Sequence, residues 1–338
     1  MKQTLVNWLA LIWLAFFVSG CSQTIQIISL SGNTMGTTYH IKVVPSAQLP
    51  EASLLQAEIN LALEKLNDQM STYRPKSELS RFNSMKHENT ITVSEDIAFV
   101  IAEGIHLSEV TGGALDITLG PLVNLWGFGP DKRRNNIPSE SVIAATMEKT
   151  GMQYLHLDGT KLTKTNPDLY VDLSSLAKGF GVDVVAAILD KYHVAGYLVE
   201  IGGELSVFGN KIDGSPWRVA IEKPDVNERA IQQLIVPGDM ALATSGDYRI
   251  YYEEDGRQFS HLIDPRDGYP IDHKLASVTV MHEQSMVADG YATAMMVLGT
   301  EKSLALAKQE NLAIMLIEKQ DSGFIVFYSD AFKPYVDQ

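Results

Sequence analysis

The sequence predicts an α+β fold, a mixed, largely antiparallel sheet with helices packed on it. Three observations lead there. Strand-like segments mostly follow one another directly, where a doubly wound parallel sheet would alternate them with helices. Two long stretches repeat apolar residues at helical spacing. A third, "SMVADGYATAMMVLG" (285–299), is apolar on every face beyond its start, as expected of a helix buried in a core.

The chain can supply that core. Its 338 residues are 45% hydrophobic and 20% charged, an ordinary globular balance for a chain of this size. No long linker, low-complexity run or internal repeat divides it. The formal charge is −14 and the pI about 5.0, with no basic run. Phosphate backbones need clustered Lys and Arg, so nucleic acid is excluded as the main partner.

Taken in order, the first segment is "MKQTLVNWLALIWLAFFVSGC". One Lys, a short apolar stretch and small residues read as a secretory signal peptide over 1–20, too short and weakly flanked for a spanning helix. Cys21 closes "VSGC", which resembles a bacterial lipobox with Cys21 as the lipidated first residue. The other reading of Cys21 is a cysteine inside an uncleaved anchor. Both readings export the remainder and tether it to a bacterial membrane, with the periplasmic face of the inner membrane as the expected location. Residues 21–30 are then the lipidated Cys and a short tether, and 31–338 one folded domain. Cys21 is the single cysteine, so disulfides and cysteine catalysis are excluded.

"GNTMGTTYHIKVV" reads as a turn followed by a strand. Leu55, Ile59, Leu63, Leu66 and Met70 mark an amphipathic helix. A second helix runs through "SEDIAFVIAEGIHLSEVTGG", with Ser94 as N-cap and Gly112 at its end. "LYVDL" is a short strand leading into "SSLAKGFG" and then a helix, "VDVVAAILDKYH". "YLVEIGGELSVFG", "WRVAIEKP" and "MALATSG" read as strands of one sheet. "YRIYYEEDGRQFSHLID" is a hairpin around Asp255-Gly256. "ASVTVMH" is a strand feeding the apolar helix, and "AIMLIEKQDSGFIVFYSD" a closing hairpin.

Several chemistries are absent. No GxxxxGK[ST], no GxGxxG with its acidic partner and no GxSxG occurs, which removes P-loop, dinucleotide-fold and serine-hydrolase readings. "DLSSLAKGFG" does supply a strand, a small flexible loop and a helix start, the parts of an anion site with Lys178 adding charge. Such glycine-rich strand-to-helix turns are more commonly plain connections. No His/Cys cluster has zinc spacing. Asp172, Ser175, Asp289 and Thr293 are hard oxygen donors, suited to magnesium or calcium. Asp289 and Thr293 share one helix face. A helix dipole returns only about 0.3–1 kcal/mol to a first-turn carboxylate, and burying it unpaired costs far more. A bound cation and a distant basic side chain both answer that cost. His261 precedes a turn and is either an acid–base group or an ordinary structural histidine.

Eight segments together carry a resemblance. "TMGTTY", "MSTYRPKSELSRFN", "GGALDITLGPLVNLWGFGP", "DLSSLAKGFGVD", "EIGGE", "ATSGDYR", "SHLIDPRDG" and "ADGYATAMMVLG", in this order, resemble the ApbE-type FAD:protein FMN transferases across nearly all of 31–330. The resemblance implies magnesium-dependent transfer of FMN from FAD to a Thr or Ser hydroxyl of an acceptor protein, with AMP released. Implied acceptors are subunits of sodium-pumping NADH:quinone oxidoreductase or the related Rnf complex. It further implies FAD contacts at Met35, Tyr73, Ala114, Leu115, Asp116, Asp172, Lys178 and Ile263. Implied metal ligands are Ser175 or the backbone of Ala177, then Asp289, Thr293 and the backbone of Ala292. His261 is implied at the acceptor end, with Asp289 as the second catalytic residue. Two other readings stand beside it: a metal-dependent FAD pyrophosphatase, and a non-catalytic flavin-binding lipoprotein.

Overall fold

The computed structural model describes residues 26–336, apart from 88, 131–136, 226–229, 249, 255 and 322. Cys21 and the signal segment lie outside the described residues. The fold opens on a hairpin, β1 (Ile28–Thr34) and β2 (Thr37–Val44), paired antiparallel from Ile28↔Val43 to Thr34↔Thr37. Met35 and Gly36 both adopt left-handed backbone, φ 48° and 73°, as a two-residue type I′ turn requires. Residues 28–30, assigned by the sequence to the tether, already belong to the sheet, and Leu30 is buried in the core.

Next come α1 (Ala52–Met70), α2 (Glu78–Ser84), β3 (Asn89–Thr92), α3 (Glu95–Val110), α4 (Gly120–Leu125) and α5 (Glu140–Met147). β4 (Leu155–Asp158), β5 (Lys161–Lys164) and α6 (Ala177–Lys191) follow. The predicted stripe of α1 is the face it buries: Leu55, Ile59, Leu63, Leu66 and Met70. Ser94 occupies the N-cap of α3 without a side-chain capping bond.

The second half holds β6 (Gly196–Ile201), β7 (Glu204–Gly209), β8 (Val219–Glu222), β9 (Ile231–Ile235) and β10 (Ala241–Gly246). It continues with β11 (Tyr251–Glu254), β12 (Arg257–Ser260), β13 (Leu275–His282), α7 (Ser285–Leu298), α8 (Thr300–Gln309), β14 (Ala313–Gln320) and β15 (Gly323–Tyr328). The main sheet has the order β1-β2-β6-β7-β10-β13-β14-β15, and each neighbouring pair is antiparallel. The α+β prediction holds.

Alternation along the strands sends side chains to both faces. On β14, Ile314 and Leu316 join the larger core with the helices, and Met315 and Ile317 a second core on the other face. That second face is covered by Trp217, by the β8–β9 ribbon and by Phe332. β8 therefore does not extend the main sheet, as the sequence reading had it. "LYVDL" also departs from expectation, forming one parallel bridge between Tyr170 and Leu119 and no strand. The cause is Asn83, whose side chain accepts from the Val171 N–H and donates to its carbonyl, both at 2.8 Å. A side chain satisfies the backbone that a strand partner would have taken. The β11–β12 hairpin pairs as predicted, Glu254↔Arg257, with Gly256 at φ 75°. Asp255 of that turn lies outside the described residues.

Candidate active site

The site grows from the crossing of α6 and α7. α6 begins at Ala177, so the glycines read as a flexible loop lie inside a helix. Their role is proximity. A Cβ on Gly179 would sit 2.4 Å from the Ser285 carbonyl oxygen and 2.6 Å from Met286 Cα. Neither helix is capped by its own N-cap side chain. Each is capped by the other. Asp289 of α7 accepts the Gly179 N–H at 3.1 Å, and Asp183 of α6 accepts the N–H groups of Ser285 and Met286 at 2.7 and 2.9 Å. These bonds satisfy first-turn donors that a helix leaves open.

Asp289 is buried and stands beyond the first turn of α7. The first-turn dipole explanation therefore does not apply. Its charge is met by the distant basic partner left open from sequence, Lys178, whose Nζ lies 3.3 Å from Asp289 Oδ2. On the other side of Nζ, 3.5 Å away, is Glu204 Oε1 at the start of β7. One ammonium thus stands between two buried carboxylates. Burial raises the carboxyl pKa of both Asp289 and Glu204, with the Lys178 charge pulling each back. For Lys178, burial lowers the pKa, but the two carboxylates outweigh it and the net shift is upward. Glu204 Oε2 is buried with no hydrogen-bond partner among the described residues. The β6–β7 turn makes room for the lysine stem. Gly202, at φ 59°, places its Cβ position 3.4 Å from Lys178 Cδ. One turn beyond Asp289, Thr293 Oγ1 lies 3.4 Å from Ser245 Oγ of β10.

His261 follows β12 directly. Its Nδ1 lies 3.0 Å from the Ile250 carbonyl oxygen. A carbonyl only accepts, so Nδ1 carries the hydrogen and Nε2 keeps a lone pair. Burial lowers the imidazole pKa, the Ile250 carbonyl opposes that, and the charge of Lys178 lowers it further. The His261 ring meets Phe128 edge-on at 6.3 Å, and Phe128 stacks on Tyr252 at 5.5 Å. The Tyr73 hydroxyl donates to the Phe128 carbonyl at 3.2 Å. Burial raises the Tyr73 pKa, as does the nearby charge of Asp172. Asp172, itself raised by burial, accepts the Ser174 N–H at 2.9 Å. Contacts thus join Tyr73, Phe128, Tyr252 and His261, with Asp172 acting on Tyr73 and Lys178 on His261 through their charges.

The remaining predicted residues are distributed unevenly. Met35 reaches the α6 side, its Cε 3.1 Å from the Cβ position of Gly181. Ser175 is half-buried just before α6. Ala114 and Leu115 are buried in the core, which leaves their backbone for any contact. Asp116 turns to Thr118, accepting its N–H at 2.7 Å, and burial raises its pKa against those bonds. The next residue, Ile117, binds this segment to Asp172 through its carbonyl. Ile263 packs with Trp126 and Phe259, and Ala292 is fully buried in α7. Sequence reasoning assigned no role to Glu204, Asp183, Phe128 or Ser245. The first two were nonetheless visible as acidic residues in otherwise apolar or glycine-rich motifs.

A lysine held between two buried carboxylates and an imidazole within reach of its charge offer a cation to meet phosphoryl oxygens and a base to take a proton, the parts phosphoryl transfer uses. The ApbE family model matches residues 35–316. The FAD:protein FMN transferase of Vibrio cholerae is 47% identical over 332 residues, covering 98% of this chain and 99% of that protein. The enzyme of the same name from Haemophilus influenzae is 47% identical, covering 97% of each. Among solved structures, the flavin transferase ApbE from Vibrio cholerae superposes with TM-score 0.87 at 48% identity, covering 92% of this chain and 99% of that one. The apo flavinyl transferase ApbE of Pseudomonas stutzeri gives 0.86 at 42%, covering 93% and 98%. The chain belongs to the ApbE family.

Proposed function

We propose that this chain is an FAD:protein FMN transferase that moves FMN from FAD onto a Thr or Ser hydroxyl of an acceptor protein and releases AMP. The observation that carries this reading is the Lys178 ammonium between two buried carboxylates, with the His261 imidazole, its Nδ1 on the Ile250 carbonyl, within reach of that charge. Relatives bearing the transferase name at 47% identity over almost the whole chain support it. The hydroxyl oxygen attacks the phosphorus on the FMN side, the bridging P–O bond breaks, and AMP departs with that electron pair. Lys178 neutralises phosphoryl oxygens, and positioning with electrostatics supplies most of the rate. The Nε2 lone pair of His261 takes the hydroxyl proton. Tyr73 and Phe128 present aromatic faces to the flavin, and Met35 packs beside it.

The donor set fits magnesium. Asp289 offers an anionic oxygen, Thr293 and Ser245 two hydroxyls 3.4 Å apart, and Glu204 an unpartnered buried oxygen. Among the described residues no group of three or more His, Cys, Asp or Glu is placed to hold a metal. That composition suits a hard ion completed by substrate oxygens and water. When bound, magnesium supplies charge neutralisation across the pyrophosphate. Ser175 and the backbone of Ala177 and Ala292 are the further candidates. Acceptors are flavoprotein subunits of sodium-pumping NADH:quinone oxidoreductase or Rnf type, reached from a membrane through a lipid on Cys21.

The test combines the chain with FAD, magnesium and such an acceptor. Covalent flavin fluorescence on a denaturing gel, abolished by chelator, is the expected result. No covalent flavin refutes transfer. Rapid AMP release without acceptor makes the protein an FAD pyrophosphatase, and tight FAD binding without AMP makes it a flavin-binding lipoprotein.

A further inference from the structure

We propose that Asp183 is a positioning residue of this site, fixing the first turn of α7 and thereby the placement of Asp289 and Thr293. The proposal rests on the transferase reading for the reaction, and on geometry for the residue. Asp183 touches none of Lys178, His261 or Thr293 through the bonds it makes. Its two oxygens accept the first two N–H groups of α7, at 2.7 and 2.9 Å. Those are lengths of charge-assisted bonds. Burial raises its carboxyl pKa to about 6, so at neutral pH the carboxylate that makes them is the main form.

The contacts that aim Asp289 are weaker than those that hold the helix. Lys178 Nζ stands 3.3 and 3.5 Å from its oxygens, and Gly179 N at 3.1 Å. A slide of α7 by about 1 Å takes all three beyond hydrogen-bond length. The Gln284 side chain makes no cap bond to α7. With the reciprocal Gly179 bond, Asp183 closes a pair of exchanged caps across the crossing. Removing Asp183 opens one half of that pair and lets the turn bearing Asp289 shift, while the FAD wall at Tyr73 and Phe128 stays in place.

The experiment uses the full chain in detergent, with Asp183→Ala and Asp183→Asn compared with wild type. Three quantities are read: kcat and KM for FAD in the transfer assay, and the affinity for Mn2+ followed by loss of its free EPR signal without FAD. For Asp183→Ala the expected result is kcat at least tenfold lower, KM for FAD within about twofold, and Mn2+ affinity about tenfold weaker. Asp183→Asn keeps one acceptor and lies between. A lower melting temperature with kcat and Mn2+ affinity within twofold of wild type makes Asp183 a purely structural cap and overturns the proposal. Where the alanine variant does not fold, the asparagine variant decides by the same readings. The Mn2+ arm needs neither FAD nor acceptor. It therefore judges Asp183 even if wild type makes no covalent flavin, and no Mn2+ binding in wild type also overturns the proposal.

Discussion

Gly179→Ala adds a single methyl group where the two site helices touch. That methyl meets backbone, Ser285 O at 2.4 Å and Met286 Cα at 2.6 Å, roughly 1 Å inside ordinary van der Waals contact. Backbone cannot rotate away, so α7 has to retreat. Overpacking of this kind costs about 1–3 kcal/mol, here at the upper end. The retreat also stretches the Gly179 N–H bond to the Asp289 carboxylate, about 1.5 kcal/mol more. Helix propensity returns about 1 kcal/mol, leaving a net loss of about 3.5 kcal/mol. At roughly 2 °C per kcal/mol the melting temperature falls by about 7 °C. The control is Gly181→Ala, two residues on in the same helix. Its methyl meets Met35 Cε at 3.1 Å and Ile201 Cδ1 at 3.4 Å, flexible ends that yield, so propensity makes it neutral or slightly stabilising. Differential scanning fluorimetry of both variants is the assay. If Gly179→Ala melts with wild type, or Gly181→Ala melts below it, the close-approach argument is wrong.

Three further outcomes are expected. Lys164 is wholly buried, its Nζ donating to the Asn83 and Leu169 carbonyls, and burial, aided by Lys86, lowers its pKa to about 8. A folded pKa below the unfolded ~10.5 means its favourable contribution is complete above pH 10.5 and lost as pH falls through 8. Urea titrations should therefore show Lys164→Met gaining on wild type at pH 7 and losing that advantage toward pH 10. Transfer by wild type should be flat above ~6.5 and decline at more acidic pH as His261 is protonated, and His261→Gln should lower the rate and flatten that limb in a pH–rate profile, leaving only the fall from loss of the Asp183 carboxylate near pH 6. Asp289→Asn keeps size but removes the charge facing Lys178, so Mn2+ affinity and transfer should fall together by at least tenfold; unchanged values in both would refute the metal assignment.

Periodicity made most of the architecture readable. α1 buries the residues its spacing marked, because each contact needed only the helix itself and a generic apolar neighbour. "LYVDL" misled because strand propensity cannot see Asn83, 88 residues away, satisfying the backbone of Val171. The site shows the same limit more sharply. That Asp289 needed a cation followed from its apolar neighbours alone. That Lys178 supplies it, 111 residues earlier, did not, since a pairing across the fold leaves no local period. Glu204 read as an ordinary strand start and Asp183 as a helix position, because their partners are backbone groups and a lysine of other elements.

The ammonium of Lys178 means the protein carries its own counter-ion. Lys178 offsets part of the buried negative charge at the helix crossing before any metal arrives, unlike domains whose ion is part of the folding free energy. Folding and loading become separate steps, and an incoming divalent ion enters as a competitor of Lys178 for Asp289. Chelation should then silence transfer and remove only the stabilisation that ion binding adds by mass action, leaving the chain folded.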